Sequence, residues 1–205
     1  MSGFNFFDNI WCIHQTAHPT RRPAMQMRLM RLGFDERARH FSAVPSPADP
    51  RIGRALSHRR IVQDAAERGL RSVLVIEDET LFLDRAESVV SAATAELSRR
   101  RWRLLYLGTW RGSDGLAAEP GCALLRQAEK RTGPHAVAYS ADVFAELLAR
   151  MPLSFNAMQQ YLGENGSIDA TLCALGAALV VHPAVATTPF SLPFQDPADQ
   201  ERFVP

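Results

Sequence analysis

The chain has 205 residues, a formal net charge of +1, 46% hydrophobic residues and 22% charged residues. That length accommodates one medium domain with a full hydrophobic core, and the composition excludes a disordered chain. The near-neutral charge excludes a nucleic-acid partner held by bulk electrostatics, and the basic residues are almost all arginine, with Lys130 the single lysine.

The run NIWCIH (9–14) predicts a first strand, and TAHPTRRP (16–23) a loop. A helix follows at about 23–32, with Met25, Leu29 and Leu32 on one face and Gly33 as its stop. RHFSAV (39–44) alternates as a second strand, and PSPADPRIG (45–53) is a proline-rich loop. Helix resumes at 54–68 and is stopped by Gly69. SVLVI (72–76) has the β-branched, unalternating character of a central parallel strand. Residues 86–99 form an amphipathic helix through Ala86, Val89, Val90, Ala93 and Leu97. RLLYLG (103–108) predicts a buried strand, 111–121 a loop, HAVAYS (135–140) a strand and 141–149 a helix. Residues 168–176 predict a short helix and ALVVH (178–182) a last strand.

Strands alternating with helices predict an α/β domain with a mostly parallel sheet over residues 1–191, followed by a proline-containing tail at 192–205 that is extended or lid-like. Cys12, Cys122 and Cys173 are odd in number and widely spaced, so neither a disulfide framework nor a cysteine metal site is expected. A reducing compartment fits best. The N-terminus lacks a basic segment before its apolar run, and no apolar stretch reaches the roughly 20 residues that span a bilayer. The expectation is a cytoplasmic protein.

Glu77, Asp78 and Glu79 follow the most strand-like segment of the chain directly. In open α/β sheets, ligands bind outside the carboxyl ends of the strands. Clustered carboxylates repel one another and resist desolvation, and a hard divalent cation relieves both problems. The acids therefore mark either a metal and diphosphate site or a strand that exits into a polar turn.

A set of segments in fixed order bears on that choice: IHQTAHPTRR (13–22), AVPS (43–46), GRALSH (53–58), VLVIEDE (73–79), WRLLYLG (102–108), TGPHAVAYS (132–140), SID (167–169) and HPAVATTPFS (182–191). Read together over residues 9–191, the chain resembles glycosyltransferase family 25, which includes lipooligosaccharide sugar transferases and collagen galactosyltransferases. The family counterparts are INLDRRPDRR, AVDG, GCALSH, a strand into EDD, W-x-L-x-x-LG and TGTHAYxIS. The resemblance implies a GT-A-like nucleotide-diphospho-sugar transferase fold and a metal-dependent, inverting sugar transfer. The donor would be a nucleotide-diphospho-sugar. The acceptor would be a hydroxyl on a glycan or lipid-linked glycan, in bacterial lipopolysaccharide or lipooligosaccharide synthesis. The alternative is a diverged, non-catalytic member that binds a nucleotide, a glycan or a partner protein.

By the same resemblance, Glu77, Asp78 and Glu79 would hold Mn²⁺ or Mg²⁺ against the donor diphosphate, with Glu77 also touching the donor. Glu79 stands where the family has Asp, His14 where it has Asn, and Pro45 where it has Asp. His182 would be a further metal ligand or, alternatively, a strand-end histidine in a turn. Arg21, the better match of the pair Arg21 and Arg22, would grip the donor diphosphate through its bidentate guanidinium; the alternative is that both are solvated loop arginines. Ser57 is expected against the donor and His58 close behind it. On a helix, His58 shares a face with Ala55, Val62 and Ala65, which also suits a buried histidine. His135 would shape the floor of the acceptor site. Asp169 is a helix N-cap, an acid near the first turn of a helix, or the base that takes the acceptor's proton. RRRW (99–102) is either a solvated helix end or a contact to an anionic membrane surface carrying the acceptor.

Overall fold

The structure is a computed structural model describing residues 3–110, 113–128, 133 and 135–189. Its strands are β1 (Asn9–His14), β2 (Ala38–Ser42), β3 (Ser72–Glu77), β4 (Leu81–Phe82), β5 (Leu104–Tyr106), β6 (Leu125–Gln127), β7 (Ala136–Ser140), β8 (Ala178–Val181) and β9 (Ala186–Thr187). The helices are α1 (Arg21–Arg31), α2 (Pro50–Glu67), α3 (Ala86–Leu97), α4 (Ala141–Arg150), α5 (Phe155–Asn165) and α6 (Ile168–Leu175). The expected tail at 192–205 lies outside the described residues, as do Thr132 and Pro134 of the TGPHAVAYS segment.

Seven strands form one sheet in the order β2-β1-β3-β7-β5-β8-β6, and β4 pairs with β9 apart from it. The α/β class expected from the sequence is what the chain forms. Five of the seven strands share one direction; β7 and β6 run against them. The reversal of β7 was not legible because it lies buried on both faces mid-sheet. Its residues then read as a continuous apolar run, as a parallel strand's do.

Alternate strand residues feed two cores, one on each face of the sheet. Ile10, Cys12, Leu74 and Ile76 meet Met25 and Leu29 of α1 and Val90 and Leu97 of α3. Ile13, Val73 and Val75 meet α2, α4, α5 and α6 on the other face. Helix α2 is covered nearly all round, packing on β1 and β3 and against α4, α5 and α6. Its start follows from local chemistry: Asp49 caps it, accepting from Arg51 N, and Pro50 opens the first turn, where its missing N–H costs nothing. The helix therefore begins inside the stretch predicted as loop. The sequence also did not predict α5, β4, β6 or β9. Helix α5 buries only Met158 and Leu162 and has a glycine, Gly163, within it.

The chain passes from β1 outward through α1 to β2, then back through α2 to β3 on the other side of β1. The carboxyl ends of β1 and β3 thus flank the point where the winding reverses, the position at which open α/β sheets form a crevice. Helix α2 reaches the rim of that crevice only because Gly53 has no side chain. A Cβ there would sit 2.3 Å from the Val44 carbonyl oxygen. Gly53→Ala is expected to lower unfolding stability by about 1–3 kcal/mol through that overpacking, measured by urea denaturation against the parent chain.

Candidate active site

A cavity of about 520 Å³ occupies this crevice. Its walls come from the segment after β1 (Gln15–His18), the loop after β2 (Ala43–Pro47) and the first turns of α2 (Pro50, Gly53 and Arg54). Glu77 and Asp78, at the end of β3, also line it.

The three consecutive acids do not act as one cluster. The strand ends at Glu77 and the chain turns through 78–79, with Thr80 N donating to Glu77 O, and the partners divide at that turn. Glu77 turns toward α2: its Oε1 accepts from Arg54 Nε at 2.5 Å and from His58 Nε2 at 3.3 Å. Burial by itself would raise the Glu77 pKa. The Arg54 charge and the His58 hydrogen bond outweigh it and hold Glu77 down at about 2. Asp78 turns toward β1 and α1. Its Oδ2 accepts from the Gln15 backbone N–H at 2.8 Å, and its Oδ1 lies 3.5 Å from Arg21 Nη1. The same Arg21 nitrogen lies 3.3 Å from Glu79 Oε2. Burial raises the pKa of both Asp78 and Glu79, against the pull of Arg21.

Asp169 joins the group from a distant part of the sequence. Ser167 caps α6, accepting from Ala170 N, and this sets Asp169 in the first turn. Its Oδ2 stands 3.7 Å from Arg54 Nη1, while its buried Oδ1 has no hydrogen-bond partner. Burial raises the Asp169 pKa, opposed by Arg54. Burial likewise acts to lower the Arg54 pKa, but Glu77 and Asp169 more than offset it and the net shift is upward. Arg54 was missed in the sequence reading. The signal lay one helical turn before His58, at the same (i, i+4) spacing that brings both onto Glu77.

His58 is fully buried and lies behind Glu77, in the supporting position the sequence suggested. A carboxylate only accepts, so His58 Nε2 donates to Glu77, and Nδ1 lies 2.8 Å from the Tyr139 hydroxyl. Ser57 departs from expectation. It is fully buried, donates to Gly53 O at 2.7 Å and accepts from Val44 N at 2.9 Å. Its hydroxyl clips the β2–α2 loop to the helix and does not face the cavity.

Of the remaining histidines, His18 lines the cavity together with Glu77 and Asp78. His14 Nε2 and His40 Nδ1 are 2.5 Å apart, and His40 Nε2 donates to Gln26 Oε1 at 2.7 Å. Burial, His40 and Arg22 lower the His14 pKa to about 4. The carbonyl of His135 anchors the acid segment, accepting from Glu77 N at 2.8 Å and Thr80 Oγ1 at 2.7 Å. The buried His135 ring packs edge-on to Trp110, and neither of its nitrogens meets a hydrogen-bond partner in good geometry. Burial lowers its pKa to about 4, against the opposing pull of the Ala186 backbone and Glu77. His182 follows β8, three strands across the sheet from β3, and its Nδ1 faces Ser113 Oγ at 2.9 Å and Asp114 at 3.7 Å. The structure does not bring His182 to the acids.

Among the described residues, no three histidine, cysteine or acidic side chains stand together in a metal-holding group. Glu77 is engaged by Arg54 and His58, so the three-carboxylate set expected from the sequence is not formed. Asp78 and Glu79 fit a cation as a pair. Both direct one hard oxygen at a single positively charged atom, Arg21 Nη1. Mg²⁺ needs only one or two protein carboxylates when phosphate oxygens and waters complete its shell.

The fold and site define an α/β protein with a charged crevice at the winding reversal of its sheet, edged by four carboxylates and two arginines. No protein-family profile matches the chain, and no curated protein does. Among solved structures, the chain is similar to a glycosyltransferase involved in the glycosylation of the major capsid of PBCV-1, at 12% identity and a TM-score of 0.45, over 95% of this chain and 89% of that one. It is similar at the same identity and TM-score to a mannose-1-phosphate geranyltransferase from Thermus thermophilus, over 88% of this chain and 61% of that one. No helix among the described residues is long and apolar enough to cross a membrane.

The histidine environments give a testable pH dependence. His14 and His135 stay neutral in the fold down to about 4, whereas in the unfolded chain they protonate near 6.5. Between those values the unfolded chain binds more protons, so stability falls as pH is lowered. Glu77 adds a further loss between 4.5 and about 2. Asp78, Glu79 and Asp169, with raised values, act in the opposite sense. His135→Asn is expected to remove on the order of 3 kcal/mol of this pH dependence between about 6.5 and 4, read from urea unfolding curves at pH 4.5 and 7.

Proposed function

We propose that the chain is a glycosyltransferase of GT-A-like fold that moves a sugar from a nucleotide-diphosphate donor to an acceptor hydroxyl. One observation carries this reading: the cavity at the winding reversal ends on Glu77, Asp78 and Arg54, with Arg21 and Asp169 in direct ionic contact with them and Glu79 paired to Arg21. The apolar walls at Ile13, Ala43, Val44 and Pro45 suit a flat base and a sugar ring, and the charged end suits a diphosphate. The ordered segments from IHQTAHPTRR to HPAVATTPFS support assignment to glycosyltransferase family 25.

In the proposed reaction, the acceptor oxygen bonds to the anomeric carbon as that carbon's bond to the diphosphate oxygen breaks, inverting the centre. The nucleoside diphosphate leaves, and the acceptor's proton passes to Asp169. Two features support Asp169 as that base: its Oδ1 is unpartnered, and Arg54 beside Oδ2 favours the ionised form. Glu77 is unsuited to the task because Arg54 and His58 hold its pKa at about 2. Its role is to fix Arg54. Asp78 and Glu79 are the residues that would hold Mn²⁺ or Mg²⁺. When bound, that ion supplies positive charge for the leaving diphosphate. We place the reaction in the cytoplasm, with an acceptor glycan of a bacterial surface polysaccharide, free or lipid-linked.

Nucleotide sugars screened by thermal shift in the presence of Mn²⁺ are expected to raise the melting temperature, as any ligand selective for the folded state does. Asp78→Ala should abolish the shift. If no nucleotide or nucleotide sugar stabilises the fold, the transferase reading is wrong. With a donor in hand, Asp169→Asn is expected to lower kcat for transfer by about 10²–10⁴-fold while changing donor affinity only a few-fold. Steady-state kinetics and donor titration measure the two separately.

A further inference from the structure

Arg21 occupies an unusual place for a residue expected to grip phosphate. Its Nη1 lies 3.5 Å from Asp78 Oδ1 and 3.3 Å from Glu79 Oε2, between the two carboxylates that fit a divalent ion. The other neighbours of those carboxylates are neutral, acidic or already engaged. Asp78 Oδ2 is taken by the Gln15 backbone N–H, Glu77 is a like charge, and Arg54 is bound to Glu77 and Asp169. Arg28, on the same helix as Arg21, donates to the Thr80 carbonyl. Arg21 is thus the cation in direct contact with both Asp78 and Glu79. It is also replaceable: both of its contacts are longer than the 2.5 Å pair of Arg54 with Glu77, and although Asp78 is buried, the side chains of Arg21 and Glu79 are 29% and 23% exposed, with Arg21 in the first turn of α1. A guanidinium tethered there and a divalent ion cannot occupy the same two oxygens together.

We infer that Arg21 is an exchangeable internal counter-ion: it neutralises Asp78 and Glu79 in the donor-free protein, and a diphosphate draws it off so that a divalent cation takes its place. This rests on the donor-site reading given above. The exchange makes metal and diphosphate binding mutually dependent. Without diphosphate, a metal must displace the guanidinium, so its apparent affinity is reduced by the fraction of protein in which the carboxylates are free. A diphosphate stabilises the outward position of Arg21, since a guanidinium pairs bidentately with phosphate oxygens, and thereby exposes the carboxylates. The coupling is reciprocal: the factor by which diphosphate tightens metal binding equals the factor by which metal tightens diphosphate binding.

The test is equilibrium binding of Mn²⁺ to the metal-free full chain, with free Mn²⁺ followed by electron paramagnetic resonance, with and without inorganic pyrophosphate as the diphosphate probe. The proteins are the parent, Arg21→Gln, Arg21→Lys and Asp78→Asn, each shown to be folded by circular dichroism. Without pyrophosphate, Arg21→Gln should bind Mn²⁺ about tenfold more tightly than the parent, the effect of removing about 1.4 kcal/mol of competition. Arg21→Lys, which keeps a competing cation, should stay near the parent, and Asp78→Asn should lose binding. Pyrophosphate should tighten Mn²⁺ binding in the parent more than in Arg21→Gln. Equal or weaker Mn²⁺ binding by Arg21→Gln, beside loss in Asp78→Asn, would overturn the exchange while leaving the metal site intact. Absence of Mn²⁺ binding in every protein would overturn it together with the metal site. Stabilisation by nucleotide sugars in metal-free buffer then decides separately whether the donor reading survives.

Discussion

The contact on which the crevice depends is the 2.5 Å ion pair between Arg54 and Glu77. An ionised carboxylate at the end of a fully buried strand loses most of its hydration, and removing one partner of such a pair leaves an uncompensated charge that costs about 3–5 kcal/mol. Arg54 can reach Glu77 only if the first turns of α2 lie against the loop after β2. Gly53 permits that approach, and the Ser57 hydroxyl fastens it by bonding to the loop and to its own helix. His58, one turn on, gives Glu77 a second donor and is itself fixed by Tyr139 on the neighbouring strand β7. The GRALSH segment is thus a unit: a glycine for proximity, an arginine for charge, a serine for the loop and a histidine for the second hydrogen bond.

This anchoring separates carboxylates that look equivalent in sequence. Glu77 faces two donors and is locked in its charged form. Asp169 shares Arg54 at a longer distance and keeps a buried oxygen unpartnered. Arg54 therefore acts on both acids unequally, closely on the one that is spent structurally and loosely on the one left available to a proton. Environments that push the properties of neighbouring acids apart are how a site assigns them different roles. Here the divergence comes from one guanidinium placed asymmetrically between them.

Much of this frame was legible in the sequence. The strands carrying the site, β1, β2 and β3, and the flanking helices α1 and α3 were visible through hydrophobic periodicity, because burial fixes both pattern and length. The acid segment at the end of β3 stood out for the opposite reason, as charge where a core strand ends. The failures also have physical causes. Three adjacent acids read as one metal site, but the strand ends at Glu77 and the chain turns, so Glu77 faces Arg54 of α2 while Asp78 and Glu79 face Arg21 of α1. Ser57 read as a donor contact from the family resemblance, which does not say whether a loop already covers the residue. Arg54 was passed over because its meaning depends on Asp169, more than a hundred residues away in the chain. His182 lies at the same edge of the sheet as the acids but three strands distant, a separation that strand order alone decides.

Charge at the crevice constrains what can enter it. With Glu77, Asp78, Glu79 and Asp169 ionised, four carboxylates face two guanidiniums, Arg21 and Arg54, and the site carries two excess negative charges. A diphosphate adds more. Like charges within a few ångströms repel by several kcal/mol at the effective dielectric of a protein surface, so a diphosphate cannot settle there on shape alone. Protonating Asp78 or Glu79, both of raised pKa, would relieve part of the repulsion. It would also discard the oxygens that suit a hard cation. Arg54 cannot turn to the diphosphate without stranding Glu77. Arg21 can, because its contacts are longer, its side chain and that of Glu79 are partly exposed, and a cation from solution can replace it. The division of labour between the two arginines then follows from how tightly each is paired: Arg54, at 2.5 Å from Glu77, holds the frame, and Arg21, at 3.3 and 3.5 Å from its two carboxylates, is free to exchange.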